Sequence, residues 1–426
     1  MTVVRYALLI LVMLSAVGLQ APVKRERFQN SEVLYDWVSN GRGEKLRIFV
    51  TRPKNAAGKV PVIFFVGWLS CDSMEYPDGE TDGFGALILR LIEQSGYATV
   101  RMDKPGVGES QGNCAQADFN SELQGWRAAF DSMSKYQFLD SNQVIVLGMS
   151  NGGGFSPLVT GGRPVRGYIA ASSWGRTWYE HMIEHERRRL MGAGKSAAEV
   201  NDGVKAFTQL YDLYLNQGMT PGQAIAQHPE WKHLWYDAPD GQYGRPAAFY
   251  QQLQSLNLGR VWQSVNAPVL VVYGTADTVM SRADSDTIAE TVNGVHPGAA
   301  RNYVVERMNH LFEIGKKFDD ALVPELLTWM KETLAASSRS SKQSSPSRSV
   351  SLTDFTSNAN DQSVGTRLHF SGFATFIEQT RHRHLFLKSE YTGKLELCCN
   401  CQAMLLLKFT LVTFMLVLTM GLLMRK

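Results

Sequence analysis

Residues 144–154 read VIVLGMSNGGG, a β-branched apolar run that leads directly into a turn rich in glycine. The run predicts a buried strand, and the glycines behind it predict a tight turn that opens a helix. Ser150 lies at the centre of a G-x-S-x-G pattern, with Gly148 and Gly152 two residues to either side. A strained turn of this kind lifts a serine hydroxyl above the sheet edge and leaves room only for small neighbours. The pattern therefore predicts a nucleophilic serine, whereas its structural alternative is a glycine-rich turn with a helix-capping serine.

The turn also positions a donor for negative charge. The backbone N–H of Asn151 is expected in the first turn of the helix, where free N–H groups and the macrodipole stabilise an anion. We therefore expect this N–H to form one half of an oxyanion hole beside the serine.

Short apolar runs alternate with helical stretches on both sides of this turn, from Val33 to Trp329. Continuous apolar runs separated by helices are typical of a parallel sheet covered on both faces. In such a sheet the crossovers are right-handed, so functional loops collect at the carboxyl ends of the strands. The runs that we expect to form strands are VPVIFFV (60–66), YATVRM (97–102), VIVL (144–147), residues 165–170, PVLVVY (268–273) and residues 303–306.

Length and composition fit one large domain with additions. The chain has 426 residues, of which 44% are hydrophobic and 19% charged, so a sizeable core can form. The alternation stops between residues 176 and 256, where helical and aromatic residues predominate. We expect an α/β fold, a mostly parallel doubly wound sheet built from residues 25–175 and 257–336, with residues 176–256 inserted as a helical cap. Most aromatic residues of the insertion are expected in its own core, and a few in the lining of a pocket.

A serine nucleophile needs a base, and the base needs a carboxylate that orients it. Asp277 follows the run PVLVVY and His310 follows the next predicted strand, so both are expected just beyond strand ends. Asp284 and Asp286 remain alternatives for the acid. Each assignment has a structural alternative, because an aspartate at this place can cap the following helix and a loop histidine can be bonded locally.

The order Ser150, Asp277, His310 at successive strand ends resembles that of the α/β-hydrolase family. Two further loops add to the resemblance. They are VGW at residues 66–68, after the first strong strand, and DKPGVGES at residues 103–110, which is similar to the family's D-x-x-G-x-G-x-S loop.

The first of these loops carries the second oxyanion donor in this family. The resemblance implies the backbone N–H of Trp68 or of Leu69 as that donor, although Val66 stands where many members have histidine. The Gly-Gly-Gly version of the loop is absent, which argues against the lipase-like branch that uses it. The resemblance implies a structural role for DKPGVGES, whose glycines permit a tight turn below the site.

Over residues 30–335 the resemblance implies a serine hydrolase that forms a covalent acyl-enzyme and needs no cofactor or metal. A carboxylic ester of a small-molecule acyl group is the expected substrate, because an aromatic-rich cap suits an apolar acyl group and no motif for binding a peptide terminus is visible. An amide or peptide hydrolase with the same triad is the alternative. From a different class, the chain could be a non-catalytic hydrolase-fold binding protein, against which the complete Ser/Asp/His set argues.

A second motif competes for the chemistry. HMIEH, residues 181–185, matches the H-x-x-E-H zinc-peptidase pattern, which places His181 and His185 on one face of a helix. The motif supplies no third ligand, so we interpret the stretch as an amphipathic helix rather than a metal site. The arginines at 187–189 are expected on a solvated charged face, with an acidic substrate as the alternative.

Two cysteines follow loops that the resemblance places side by side. Cys71 comes after the oxyanion strand, and Cys114 comes after DKPGVGES. Because those two strands are neighbours in this family, the resemblance implies a Cys71–Cys114 disulfide, which export allows. Cys398, Cys399 and Cys401 lack the two separated C-x-x-C pairs of a zinc site.

The two ends of the chain predict export. Arg5 and the apolar run that ends at Gly18 are typical of a signal peptide or signal anchor in residues 1–21. Residues 337–402 begin as a serine-rich linker, and residues 403–424 are apolar over a length that can span a bilayer. We expect an exported protein, either secreted or periplasmic. For the C-terminal segment two interpretations remain open, which are membrane association through residues 403–424 and a tail without function.

Charge excludes one class of partner. The net charge of +3 comes from 43 basic and 40 acidic residues, and 11 of the basic residues lie from Ser338 onward. The body therefore has no basic excess, and nucleic acid is not expected as a partner. The composition also excludes a globally disordered chain.

Overall fold

The structure is a computed structural model that describes residues 24–342, with side chains described through residue 336. Its centre is an eight-stranded sheet, and short hairpins lie outside that sheet. The strands are β1 (Ser31–Ser39), β2 (Lys45–Pro53), β3 (Val60–Val66), β4 (Ala98–Met102), β5 (Leu139–Met149), β6 (Gly167–Ala171), β7 (Gly241–Gln242), β8 (Arg245–Pro246), β9 (Val269–Gly274), β10 (Ala300–Val305), β11 (Glu313–Ile314) and β12 (Lys317–Phe318).

The large sheet has the strand order β1-β2-β4-β3-β5-β6-β9-β10. The pairs β1–β2 and β2–β4 are antiparallel, and every other neighbouring pair of this sheet is parallel. The predicted mostly parallel sheet is thus confirmed. Its antiparallel edge was not predicted, because β1 mixes exposed polar residues with apolar ones and gives no continuous apolar run.

Helices connect most of the strands, and local sequence sets where they begin. Capping boxes start four of the described helices, among them those made by Thr177 with Glu180 and by Ser281 with Asp284, so side chains satisfy the first free N–H groups. The helices are α1 (Gly83–Gln94), α2 (Phe119–Ser132), α3 (Asn151–Thr160), α4 (Trp178–Gly192), α5 (Ala197–Tyr211), α6 (Pro221–Gln227), α7 (Ala247–Gln254), α8 (Leu258–Gln263), α9 (Arg282–Val295) and α10 (Leu322–Lys342).

The insert, residues 176–256, lies in the chain between β6 and β9 and contains α4 to α7 and the hairpin β7–β8. Aromatic side chains pack against one another inside it, as Tyr211, Tyr214 and Tyr250 do, and each of these three is fully buried. Phe249 of α7 packs against Phe119 of α2, with ring centroids 5.7 Å apart, and so joins the insert to the core. Most aromatic residues of the insert therefore form its own core, as the composition indicated.

Several sequence-based expectations fall outside the described residues. They concern the signal segment at 1–21, most of the linker at 337–402, the cysteines Cys398, Cys399 and Cys401, and the apolar stretch 403–424. The helix α10 runs to Lys342 and so continues past residue 336, where we expected the core to end. Within residues 24–342, no helix combines the length and the apolar character that crossing a membrane requires.

Candidate active site

Ser150 lies in a sharp turn between β5 and α3. Its backbone has φ 52° and ψ −126°, outside the regions that non-glycine residues ordinarily occupy. The surrounding backbone holds this conformation, since the Ser150 N–H donates to the carbonyl of Ala171 at 2.9 Å. The Ser173 hydroxyl donates to the carbonyl of Ser150, also at 2.9 Å. A strained residue fixed in this way is a common feature of functional sites.

The two glycines of the pattern make room for the turn. A Cβ on Gly152 would lie 2.1 Å from the carbonyl oxygen of Gly67, and a Cβ on Gly148 would lie 2.5 Å from the Cα of Gly153. Distances this short force backbone to move, because interiors are already close-packed. The glycines therefore allow β5, α3 and the loop after β3 to approach one another around the serine.

Ser150, His310 and Asp277 form a continuous hydrogen-bonded chain. The distance from Ser150 Oγ to His310 Nε2 is 3.0 Å, and that from His310 Nδ1 to Asp277 Oδ2 is 2.9 Å. Ser150 and Asp277 are buried, whereas the His310 side chain keeps 15% of its surface exposed. The structure thus brings together the three residues that the sequence nominated. The arrangement can move a proton from a serine hydroxyl to an imidazole.

The carboxylate of Asp277 is held by its own loop. Its Oδ1 accepts from the N–H groups of Val279 and Met280, both at 2.8 Å, which leaves Oδ2 for His310. Arg188, from α4 of the insert, donates to the carbonyl of Val279 at 2.9 Å and to that of Asp277 at 3.4 Å. The guanidinium therefore ties the insert to the loop that carries the acid.

The two alternatives for the acid have other partners. Asp284 is fully buried, and its Oδ2 lies 3.2 Å from Nδ1 of His181. Asp286 accepts a hydrogen bond from the Asn302 amide at 2.7 Å. Of the three aspartates considered, Asp277 is the one that bonds to His310 in the described part of the chain.

The HMIEH stretch forms part of α4. His181 pairs with Asp284, and the ring centroids of His181 and His185 are 6.3 Å apart. Glu184 pairs instead with Arg187, its Oε2 3.5 Å from the guanidinium Nε. Among the residues that the structure describes, no group of three or more His, Cys, Asp or Glu side chains is arranged to hold a metal ion. The two histidines line the cavity described below.

Three backbone N–H groups are available to an oxyanion. Those of Asn151, Trp68 and Leu69 have no acceptor among residues 24–342. All three residues line the cavity beside Ser150. Asn151 opens α3, so its N–H also has the favourable end of the helix dipole. Trp68 and Leu69 are both candidates for the second donor.

The loop that carries Trp68 and Leu69 is fastened by Lys104. The Lys104 ammonium donates to the carbonyl of Trp68 at 2.6 Å and to the carbonyl of Ser70. Burial, and then the nearby Arg245, hold the pKa of this ammonium well below its usual value. A cation buried against backbone carbonyls is costly. We therefore assign Lys104 a positioning role, which the motif DKPGVGES alone did not predict.

The same loop is held at a second place. The carboxylate of Asp103 accepts from the N–H of Met74 at 2.7 Å and from the hydroxyl of Ser73 at 2.8 Å, yet burial raises its pKa to about 6. Cys71 and Cys114 are joined by a disulfide with their Cα atoms 6.0 Å apart, within the range that disulfides allow. The DKPGVGES loop thus acts by fixing the loop that precedes it in the chain.

A cavity of about 440 Å³ opens beside Ser150. Phe84 of α1 belongs to the lining that the core contributes. Its ring packs against those of His310 and Trp68 at centroid distances of 5.7 and 4.9 Å. The insert contributes aromatic side chains to the same cavity, as was expected of a few of them. The aromatic and aliphatic lining residues are Trp68, Leu69, Phe84, Trp178, Tyr236, Tyr243, Val279, Met280 and Leu311.

The three arginines that follow HMIEH have three different surroundings. Arg187 keeps 46% of its side chain exposed, Arg188 is bonded to the acid loop, and Arg189 lines the cavity. The expected solvated face is correct for Arg187 and for Arg189, whose side chain is 38% exposed although it also lines the cavity, and it is wrong for Arg188. Helical spacing was the signal that could have found Arg189, since it follows His181 and His185 at intervals of four residues.

Comparison with known proteins gives one family and a set of structures with similar folds. The model of a family described as serine aminopeptidase, S33, matches residues 79–311. Est1E from Butyrivibrio proteoclasticus with ferulic acid bound is 18% identical, over 70% of this chain and 99% of its own, with a TM-score of 0.49. Proline iminopeptidase from Mycobacterium smegmatis is 16% identical, and the match covers 71% of this chain and 100% of its own, with a TM-score of 0.46. An esterase from Pyrococcus furiosus is 14% identical, over 72% and 91%, with a TM-score of 0.44. No protein of curated function matches the sequence.

Proposed function

This chain belongs to the serine aminopeptidase (S33) family of α/β-hydrolases, and from that premise we propose that it cleaves a carboxylic ester through an acyl-enzyme on Ser150. Membership makes it a hydrolase. The bond that it cleaves and the residues that cleave it are our proposal. The observation that supports it is the chain of contacts from Ser150 Oγ through His310 to Asp277, with distances of 3.0 and 2.9 Å.

In the first half-reaction the hydroxyl oxygen of Ser150 attacks the acyl carbon while His310 Nε2 takes the hydroxyl proton. The carbonyl oxygen becomes an oxyanion, which the N–H of Asn151 and that of Trp68 or Leu69 stabilise. The carbon–oxygen bond to the alcohol then breaks, His310 gives its proton to the leaving alcohol, and the acyl group remains on the serine as an ester.

In the second half-reaction water attacks the acyl-enzyme, and His310 again takes the proton. The carboxylic acid leaves and the hydroxyl of Ser150 is restored. Asp277 keeps the imidazole in the tautomer with the proton on Nδ1, and its charge stabilises the imidazolium that forms in each half. The bonds from Val279 and Met280 fix the carboxylate for this task.

The lining of the cavity favours an ester over an amide. An aminopeptidase must hold a free amino terminus, for which an unengaged carboxylate near Ser150 is suited. The carboxylates that line the described cavity are Asp72 and Asp82, and one oxygen of each is engaged within its own segment. Asp72 accepts from the Ser70 hydroxyl at 2.5 Å, and Asp82 accepts from the N–H of Gly85 at 2.8 Å. Amide cleavage by the same triad is the second candidate, favoured by the family's description as serine aminopeptidase.

A substrate panel tests this proposal. Wild type and Ser150→Ala are compared on acyl esters of graded chain length and on aminoacyl and peptidyl amides. We expect ester turnover by wild type and a loss of order 10³-fold or more in Ser150→Ala. An organophosphonate should label Ser150 in wild type and leave the variant unlabelled. A higher kcat/KM on aminoacyl amides would assign a peptidase. If wild type showed no turnover and no labelling, the protein would be a non-catalytic binding protein.

We also propose that the protein is exported. The disulfide between Cys71 and Cys114 supports this, because disulfides persist in oxidising compartments. Cell fractionation of the full chain, with thiol labelling, tests it, and recovery from the cytoplasm with both cysteines reduced would contradict it. A chain ending near Leu334, fractionated beside the full chain, tests membrane association through residues 403–424. Association predicts that the full chain sediments with membranes and the shorter chain does not.

A further inference from the structure

One face of α4 forms a polar stripe along the wall of the cavity. Trp178, His181, His185 and Arg189 follow one another at intervals of three, four and four residues, which places them on one side of the helix. All four line the cavity beside Ser150. At a rise of about 1.5 Å per residue the four span about 16 Å. We call these four residues the α4 stripe.

Buried polar atoms of the α4 stripe and its surroundings lack partners among the described residues. They are Nε1 of Trp178 and both Oδ1 and Nδ2 of Asn151, a residue that is 1% exposed. Buried polar groups in folded proteins nearly always have a hydrogen-bond partner. Trp178 can only donate, and the Asn151 amide can donate and accept. A polar group on the substrate would therefore meet unused donors along this wall.

His185 of the α4 stripe contributes polarity rather than net charge at neutral pH. Burial, and then the neighbouring His181, lower the pKa of His185 to about 4, so this imidazole is neutral. His181 is 2% exposed, and its Nδ1 lies 3.2 Å from a carboxylate oxygen of Asp284, so this nitrogen is already engaged. Arg189 is the residue of the α4 stripe that carries a permanent positive charge.

The Arg189 side chain is 38% exposed, and contacts on one side of its guanidinium hold it in place. Its Nε donates to Glu186 at 2.6 Å, and the guanidinium lies over the rings of Tyr236 and Phe207 at 4.8 and 5.7 Å. Glu186 is itself buried and accepts from the Tyr236 hydroxyl at 2.7 Å. The two terminal nitrogens of Arg189 have no acceptor among residues 24–342. A planar guanidinium fixed on one side in this way can bind a carboxylate with two parallel hydrogen bonds.

We propose that the α4 stripe binds a carboxylate carried by the substrate, so that the enzyme prefers esters with a free acid group remote from the scissile bond. The carboxylates that the core contributes to the lining, Asp72 and Asp82, bond within their own segments, and no described contact joins them to Arg189. The aromatic lining takes the middle of such a substrate, and Arg189 takes its charged end. This inference rests on the proposed function and narrows its substrate from an apolar ester to an ester that carries a carboxylate on its acyl or its alcohol part.

Matched ester pairs test the inference. The monoethyl esters of succinic, glutaric, adipic and suberic acids are compared with the ethyl esters of monocarboxylic acids of the same length. Acetate esters of hydroxy acids and of plain alcohols test the alcohol side in the same way. A charge-assisted hydrogen bond predicts a kcat/KM ratio, charged to neutral, of about ten or more at the best length. A ratio at or below one at every chain length, both for acid groups on the acyl part and for acid groups on the alcohol part, would overturn the inference.

Two variants of α4 locate the preference. Arg189→Gln should bring the ratio close to one, while Arg187→Gln, which changes an exposed arginine paired with Glu184, should keep it. Because the ratio compares two substrates on one protein, a general loss of activity or stability does not move it. A ratio that survives Arg189→Gln would remove Arg189 from the site and contradict the proposal.

Binding separates this inference from the proposed function. Ser150→Ala protein, titrated with the charged and neutral esters and followed by tryptophan fluorescence, reports affinity without turnover. We expect the charged ester to bind about ten-fold more tightly. Tighter binding without turnover by wild type would contradict the proposed hydrolysis and support the carboxylate site. If wild type turned over plain acetate esters and the Ser150→Ala protein bound both esters equally, the proposed hydrolysis would be supported and the carboxylate site contradicted.

Discussion

The core and the insert each contribute a wall to one cavity, and a histidine of each wall is paired with an aspartate. On the core wall His310 lies 2.9 Å from Asp277 and 3.0 Å from Ser150. On the insert wall His181 lies 3.2 Å from Asp284, and no described contact joins it to the serine. The two pairs have the same chemistry at similar distances. Position relative to the nucleophile therefore separates a candidate base from a lining residue.

The two walls also differ in what fixes them. On the core wall, backbone atoms do most of the positioning, through the positive φ of Ser150, the close approach at Gly152 and the N–H groups that bind Asp277. On the insert wall, side chains position one another, as Glu186 positions Arg189. We infer that the core wall sets the rate of bond cleavage and that the insert wall sets which substrates are cleaved.

The largest difference is expected between the two histidines. His310→Ala removes the proposed base and should lower kcat/KM for a short acetate ester by about 10³-fold or more. His181→Ala should lower it by about ten-fold at most, the effect of one lost hydrogen-bonded contact. Steady-state kinetics on both variants measure the two losses.

Thermal unfolding of the same two samples serves as the control, because His181→Ala leaves the buried Asp284 without its imidazole partner. If two folded variants lost activity equally, the proposed division between the walls would be wrong.

A smaller but still large effect is expected at Gly152. A Cβ there would lie 2.1 Å from the carbonyl of Gly67, so Gly152→Ala must push the loop that carries Trp68 away from the serine. Displacing an oxyanion donor costs about 10²-fold in kcat. Gly192→Ala is the matched change on the insert side, in α4, where an added Cβ meets nothing within 4 Å. The Gly192→Ala variant should keep full activity, and the substitution should stabilise the fold by about 0.5–1 kcal/mol. An active Gly152→Ala enzyme would contradict this account of the turn.

The core wall could be predicted from the sequence because each of its parts is local. The predicted strand Val60–Val66 matches β3, and the run before Ser150 lies within β5. Apolar strands followed at once by Gly, Asp or His place those residues at one sheet edge, since parallel strands share their carboxyl ends. Ser150, Asp277 and His310 could therefore be found without knowing any long-range contact.

The insert wall could not be predicted in the same way. The arrangement of its side chains depends on contacts between residues that are far apart in the sequence and meet only after folding, such as Glu186 with Tyr236. Charge pattern alone indicated a solvated face for Arg188, which bonds to the acid loop instead, and it gave no sign that the partly exposed Arg189 also lines the cavity. Lys104 was missed for the same reason, because nothing in DKPGVGES shows that a lysine would reach the carbonyl of Trp68.

Lys104 gives the third test, with an expected loss of about ten-fold in kcat. Lys104→Met removes the ammonium that holds two carbonyls of the oxyanion loop and keeps a side chain of similar length. A looser loop weakens binding of the transition state more than binding of the substrate, so kcat should fall while KM changes little. Lys59→Met, at an exposed position before β3, is the control and should change neither constant. A rise in KM with unchanged kcat would assign Lys104 to substrate binding instead.

The smallest effect on activity is expected from two buried titratable groups, which should change stability in opposite directions with pH. In the core, burial raises the pKa of Asp103 to about 6 from 3.8. Between these values the folded protein binds more protons than the unfolded chain, so this group's contribution to stability falls as pH rises. In the insert, burial and His181 lower the pKa of His185 to about 4 from 6.5. Between these values the unfolded chain binds more protons, so this contribution falls as pH drops.

Single substitutions should separate the two contributions, which largely cancel in the wild-type protein. Asp103→Asn should gain free energy of unfolding relative to wild type as pH rises from about 4 to about 6. His185→Asn should gain relative to wild type as pH falls from about 6.5 to about 4. Each change should amount to roughly 2–3 kcal/mol, because one pKa unit corresponds to about 1.4 kcal/mol. Urea unfolding at a series of pH values measures both. A slope near zero for His185→Asn would show that the pKa of His185 lies close to 6.5, as on an exposed surface, and would contradict a buried, neutral imidazole in the cavity wall.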